Sequence, residues 1–191
     1  MGFLDWLTSL FSPPPVPPPS IRPQTSSPFT HTVDSRRVVT KIQEGSSPIF
    51  VTGKAGTGKS TLLQYIRETT TKKVVVVAPT GIAAVNVRGA TIHSFFRFPP
   101  RLLTEQSVRI NRDRTDMFRQ LDTIIIDEVS MVRADLMDAI NASLQLHRGN
   151  TQPFGGAQLV LFGDLCQLPP RSCGRRTTAV LSNAIPFAVL F

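Results

Sequence analysis

Eight residues constrain this chain more than any others: Gly53-Lys54-Ala55-Gly56-Thr57-Gly58-Lys59-Ser60. They fit the spacing G-x-x-x-x-G-K-[ST]. Pro48-Ile49-Phe50-Val51-Thr52 precedes them as a short apolar run, and Thr61 to Arg67 follows with Leu62 and Ile66 on one helical face. A buried strand, a glycine-rich turn and a helix are therefore predicted in succession. Glycines let such a turn curl so that consecutive N–H groups point inward, and the helix adds the positive end of its dipole. The product is an anion nest. Gly53 to Thr61 are expected to cradle a nucleoside triphosphate, with Lys59 on the β- and γ-phosphates and the Ser60 hydroxyl on Mg²⁺. The loop alone leaves ATPase, GTPase, kinase and motor open.

A second apolar run, Leu121 to Ile126, ends in Asp127-Glu128. Such a run suits a strand buried on both faces of a parallel sheet, and ligands sit at the carboxyl ends of such strands. Asp127 is then expected on the metal side. Glu128 is the candidate base for an attacking water. A third run, Gln158 to Phe162, leads through Gly163-Asp164 to Gln167-Leu168-Pro169-Pro170. Gln167 on that loop has the chemistry to sense a γ-phosphate, although spacing alone does not distinguish it from an ordinary loop residue.

Val74 to Ala78 is a fourth run, followed by Pro79-Thr80-Gly81. A threonine hydroxyl and exposed backbone N–H groups there suit nucleic-acid phosphates. Further on, His93-Ser94-Phe95-Phe96 adds two aromatic rings. Bases stack on such rings for about 1–3 kcal/mol each, but adjacent phenylalanines are more often core, so at most one need face a strand. His93 reads as a loop-fixing imidazole rather than a catalyst. The net charge is +8, and Arg97, Arg101, Arg109, Arg112, Arg114 and Arg119 crowd one region against Glu105, Asp113 and Asp116. Arg171, Arg175 and Arg176 crowd another. Basic clusters attract polyanions through counterion release.

Strands at 49–52, 74–78, 123–127 and 158–162 alternate with helices, so an α/β, RecA-like parallel sheet is expected. A helix from Asp34 would bury Val38 and Ile42 and stop at Gly45, and another would follow Val132, Leu136, Ile140 and Leu144. Residues 31–191 are assigned to this domain. Residues 12–30 are proline-rich and read as a polyproline-type linker. Within residues 1–11, Phe3, Leu4, Leu7, Leu10 and Phe11 recur at helical spacing. That segment reads either as a small helix docking a partner or membrane surface, or as a frayed terminus. No apolar run is long enough to span a bilayer. Cys166 and Cys173 lack zinc spacing and form no disulfide framework, which points to a reducing intracellular compartment.

Four stretches together resemble the Pif-type (petite integration frequency) DNA helicases of superfamily 1. They are GKAGTGKST from Gly53, VVVVAPTGIAAVNVRGATIHSFFRFP from Val74, IIIDEVSMVRADLMDAI from Ile124 and LVLFGDLCQLPP from Leu159. The second and fourth are far more specific than the glycine-rich loop. The resemblance implies ATP hydrolysis coupled to 5′→3′ movement on single-stranded DNA, with unwinding of duplexes or junctions in repair, recombination or replication. It implies phosphate and magnesium contacts from Lys59 and Ser60, and the acid pair at Asp127 and Glu128. It implies that Gln167 couples γ-phosphate to DNA, and that Pro79, Thr80, Gly81, His93, Ser94, Phe95 and Phe96 line the strand. It places the protein in a bacterial cytoplasm or a eukaryotic nucleus or mitochondrion. Relatives often carry an adenine-reading glutamine before the loop. Gln43 is too close and Gln24 lies in the linker, so adenine selectivity stays unassigned. The resemblance also implies a second RecA-like domain supplying an arginine to the γ-phosphate. None is legible before Phe191, so two expectations stand: the first motor domain of a longer helicase, or an isolated ATP- and DNA-binding module with weak ATPase.

Overall fold

A computed structural model describes residues 33–45, 47–54, 56–104, 107–164 and 188–190. Six strands form one sheet in the order β3-β2-β4-β5-β1-β6, every pair parallel. They are β1 (Ile49–Thr52), β2 (Val74–Ala78), β3 (Ala90–Thr91), β4 (Thr123–Ile126), β5 (Gln158–Gly163) and β6 (Ala188–Leu190). The four predicted strands lie at the centre. The two edges are short and escape a pattern search, β3 because two residues carry no periodicity.

Alternation along the central strands divides the core in two. Ile49, Val51, Val76, Ile125, Val160 and Phe162 point to one face. There they meet Val38 and Ile42 of α1 (Val33–Glu44) and Leu62, Leu63 and Ile66 of α2 (Lys59–Thr69). Phe50, Val77, Ile124, Ile126, Leu159 and Leu161 point to the other. That side is covered by α4 (Ile92–Phe96), α5 (Arg112–Gln120) and α6 (Ala134–Arg148). Both faces of each central strand are buried, which explains why these strands read as continuous apolar runs. A short helix α3 (Gly81–Asn86) follows β2.

Helix ends follow their capping chemistry. Gly45, at φ +69°, donates its N–H to the Lys41 carbonyl at 3.1 Å and ends α1 as expected. The helix expected from Val132 starts at Ala134 instead. Val132 closes a 3₁₀ turn (Val129–Met131) in extended conformation and only its side chain joins the core. The helix starts late because Val132 and Arg133 are both extended, at ψ 121° and 155°. Residues 1–30, where a docking helix and a proline linker are expected, lie outside the described residues. Among the described residues, no helix is long and apolar enough to cross a membrane.

Candidate nucleotide and nucleic-acid site

β1 delivers the chain to Gly53 at the carboxyl edge of the sheet. Thr57 makes the turn tight: its N–H and its hydroxyl both donate to the Lys54 carbonyl, at 3.3 and 2.9 Å. Gly56 and Gly58 adopt φ +81° and +88°, which an L side chain resists. α2 then begins at Lys59, with the Leu62 N–H bonded to the Gly58 carbonyl at 2.9 Å. Lys59 Nζ donates to the carbonyls of Gly53 and Lys54, the latter at 3.0 Å. The ammonium thus rests on the loop's own backbone, where it is held over the curl that would receive phosphate. Ser60 and Thr61 are exposed at the helix start and open onto a 380 Å³ cavity shared with Gln64, Arg67 and Arg88. Ala55 and Gln167 lie outside the described residues.

Asp127 stands one residue beyond β4, not within it, yet its N–H still bonds the Val77 carbonyl at 2.9 Å. The parallel ladder therefore fixes its position. Burial pushes the Asp127 carboxyl above its ordinary range and the Glu128 charge adds to this. The Glu128 N–H and the Lys59 charge oppose the rise. Asp127, Glu128 and Lys59 thus share one electrostatic site, although 68 positions separate Lys59 from Asp127. The acid-bearing turn also leans on β5: a Cβ at Gly163 would stand 2.9 Å from Val129 Cγ1 and 3.3 Å from its nitrogen. Only glycine permits that approach. It packs the exit of β5 against the turn that follows the acid pair, and Asp164 after it is buried.

The predicted nucleic-acid residues occupy the same edge, beyond β2 and β3. Thr80 caps α3, its Oγ1 accepting from the Ala83 N–H at 3.2 Å, so the hydroxyl proton stays available to an acceptor. Gly81 is exposed and a side chain there would meet nothing within 4 Å. Pro79 is half-buried before it. Thr91 caps α4 in the same way, accepting from the Ser94 N–H at 3.1 Å. Ser94 is exposed, and His93 is half-buried with its carbonyl receiving the Phe98 N–H at 3.0 Å.

The two phenylalanines separate. Phe96 is core: it is 7% exposed, stacked on Phe98 and Phe118 at 5.2 and 5.6 Å. It offers no face to a base, which corrects the expectation that it lines the strand. Phe95 is half-buried, edge-on to Phe96 and Phe118 at 5.0 and 5.5 Å. Three supporting residues carried no sequence signal. Arg67 Nη1 donates to the carbonyls of Val87 and Arg88, tying the phosphate-loop helix to the chain that leads into β3. Buried His147 accepts the Asn111 N–H at Nε2, at 2.9 Å, and its Nδ1 donates to the Ser143 carbonyl at 2.7 Å. Arg148 donates to the carbonyls of Phe118, Leu121 and Gly155 at 2.6–2.7 Å.

The model of the PIF1-like helicase family matches residues 31–186. The chain belongs to that family. It is 36% identical over 165 residues to the ATP-dependent DNA helicase PIF1 of Emericella nidulans, covering 80% of this chain and 22% of that protein. With the ATP-dependent DNA helicase RRM3 of Saccharomyces cerevisiae the identity is 39% over 154 residues, 76% of this chain and 21% of the relative. Among solved structures, Bacteroides Pif1 bound to single-stranded DNA superposes with a TM-score of 0.70 at 41% identity, covering 75% of this chain and 34% of that one. The Bacteroides Pif1 complex with ADP-AlF3 and single-stranded DNA gives 0.71 at 38%, covering 81% and 36%. The chain therefore spans about a fifth of the curated relatives it matches, and its fold is that of their RecA-like ATPase domain.

Proposed function

We propose that this chain is the ATP-binding motor domain of a 5′→3′ DNA helicase, which couples hydrolysis to movement along single-stranded DNA and to opening of duplexes or junctions. The convergence of Lys59, Asp127 and Glu128 beside a loop of positive-φ glycines carries this reading. Gly53 to Thr61 would hold the triphosphate. Ser60 and Asp127 would hold Mg²⁺, which commonly takes one or two protein ligands and completes its shell with phosphate and water. Held there, magnesium would supply positive charge against the transferring phosphoryl group. Glu128 orients the attacking water, and Gln167 links the γ-phosphate to the DNA rim. Thr80, Gly81, Ser94 and Phe95 track the strand, their exposed N–H, hydroxyl and ring groups suiting phosphate and base. DNA places the site of action inside the cell. The rest of a relative's length, with a second RecA-like domain, would complete the ATP cleft.

The test is steady-state ATP hydrolysis with and without single-stranded DNA, for the chain joined to such a second domain and for its Glu128→Gln variant. The variant is expected to retain nucleotide affinity and to lose DNA-stimulated turnover by about 10²-fold or more. Unchanged turnover would remove Glu128 as the base.

A further inference from the structure

Beyond the rim assigned to the single strand, α4 ends and α5 begins around an open cavity of about 600 Å³. Among the described residues, Arg97, Arg101, Arg109 and Arg112 line it, with Asp113 the one acid. All four arginines are exposed, and none of their guanidinium groups has an ion pair or hydrogen bond among the described residues. The other two arginines of this stretch differ. Arg114 donates through Nη1 to the Phe95 carbonyl, and Arg119 lies toward the far end of α5, outside the cavity. Tertiary structure has thus sorted six clustered arginines into four that converge and two that do not.

The walls are held from outside the cavity. The Asn111 N–H is fixed by His147 of α6, and the Leu103 N–H by the Asp135 carboxylate at 3.0 Å. Arg133 grips the same carboxylate through Nε and Nη2, at 2.8 and 2.6 Å. The floor is the stacked pair Phe96 and Phe98, each 7% exposed. Each ring keeps only a small exposed patch, so the cavity presents guanidinium groups over too little aromatic surface for a base to stack on.

We propose that this arginine cavity is a second nucleic-acid site, which grips the phosphate backbone of the duplex arm of the substrate without reading sequence. It rests on the DNA-helicase reading above. Sites for unpaired strands combine cations with open stacking rings, and the two rings lining this cavity are almost wholly buried. A site whose charged groups are four cations and one acid among the described residues favours the partner with the higher phosphate density. Duplex DNA carries one charge per about 1.7 Å of axis and releases about 0.9 counterion per neutralised phosphate, against about 0.7 for a single strand. Arginine forks bind phosphate oxygens in pairs, which suits backbone contact rather than base readout. The cavity lies past β3, whose residues pair with the carboxyl end of β2. Ser94 lies in the same short helix whose end, at Phe96 and Arg97, lines the cavity, so a strand touching Ser94 would pass close to it.

Fluorescence anisotropy on this 191-residue chain tests the proposal, with a blunt 20-base-pair duplex and an oligo-dT strand as probes, titrated between 50 and 200 mM salt. The variant carries Arg97→Gln, Arg101→Gln, Arg109→Gln and Arg112→Gln. Its duplex affinity is expected to fall at least tenfold at the lowest salt, and the log–log salt slope to flatten by about 3–4, one 0.9 step per lost contact. Oligo-dT affinity should stay within twofold. The fourfold Arg→Lys variant should recover most of the duplex binding, since a point charge still neutralises phosphate. Duplex affinity and slope that are unchanged in the Gln variant would overturn the proposal. So would an equal loss on oligo-dT, which would make the cavity part of the single-strand path. If the unaltered chain binds neither probe, the DNA reading itself falls with it.

Discussion

The two sides of this domain are built by different means. Toward β1, the phosphate loop is local: Gly53 to Thr61 make their own turn, their own donors and the start of their own helix. Toward β3, little is local. Phe96, Phe98, Phe118 and His147 come from three helices and a loop and fuse into one aromatic cluster. That cluster sets where the arginine cavity opens. A locally encoded site can be damaged chemically with little effect on stability. A site assembled from distant segments is stable only as a whole, so its damage reaches stability first.

The comparison is sharpest at Phe118, which is 1% exposed and touches Phe95, Phe96 and His147. Phe118→Ala should cost about 3–5 kcal/mol in chemical denaturation, through lost contacts and the cavity left behind. Its ATP affinity, measured where the protein is still folded, should be unchanged. Weakened nucleotide binding of the folded variant would mean that the two sides are not separable. Lys59→Ala is the converse. It should lower ATP affinity by about 10²-fold or more in calorimetry, as a charge-assisted phosphate contact is lost, and leave the melting temperature of the free chain essentially unchanged. Equal nucleotide affinity would end the role of Lys59.

The smallest effect has the opposite sign. Asp127 is held above its ordinary pKa by burial and by Glu128. The folded state then binds its proton more tightly than the unfolded chain. Asp127 therefore lowers stability once pH has risen from its unfolded pKa through its folded one, and the penalty disappears below both. Asp127→Asn should raise the melting temperature of the nucleotide-free chain at pH 7 by roughly 2 °C, an activity–stability trade. The gain should shrink toward acid pH. A lower melting temperature at pH 7 would show that the carboxylate is stabilising there.

Much of the nucleotide side was legible because its chemistry recurs at fixed spacing. The strand at 49–52, the loop, the helix after it and the acid pair at the end of β4 all lie where the pattern puts them, with Asp127 shifted just past the strand. The side proposed for the nucleic-acid strand was half legible. Thr80 and Ser94 sit at capped helix starts on the expected edge. Phe96 misleads, because two adjacent aromatics at the end of a five-residue helix carry no sign of which ring turns inward. Spacing also could not separate Arg112 from Arg114, two positions apart and with different surroundings.

By itself, the sequence determined the glycine-rich turn, the double-sided burial of four strands and the family. Those properties depend on neighbours a few residues away: positive φ, side-chain alternation and the dipole of one helix. Only the tertiary structure decided the strand order, the electrostatic coupling of Lys59 to Asp127, and the convergence of four arginines. Each of these joins segments that are distant along the chain, and which segments meet is settled by the packing of two helical layers on one sheet. Dispersion acts over a few ångströms and charges are screened within about 10 Å, and local sequence pattern does not say which side chains come within that range.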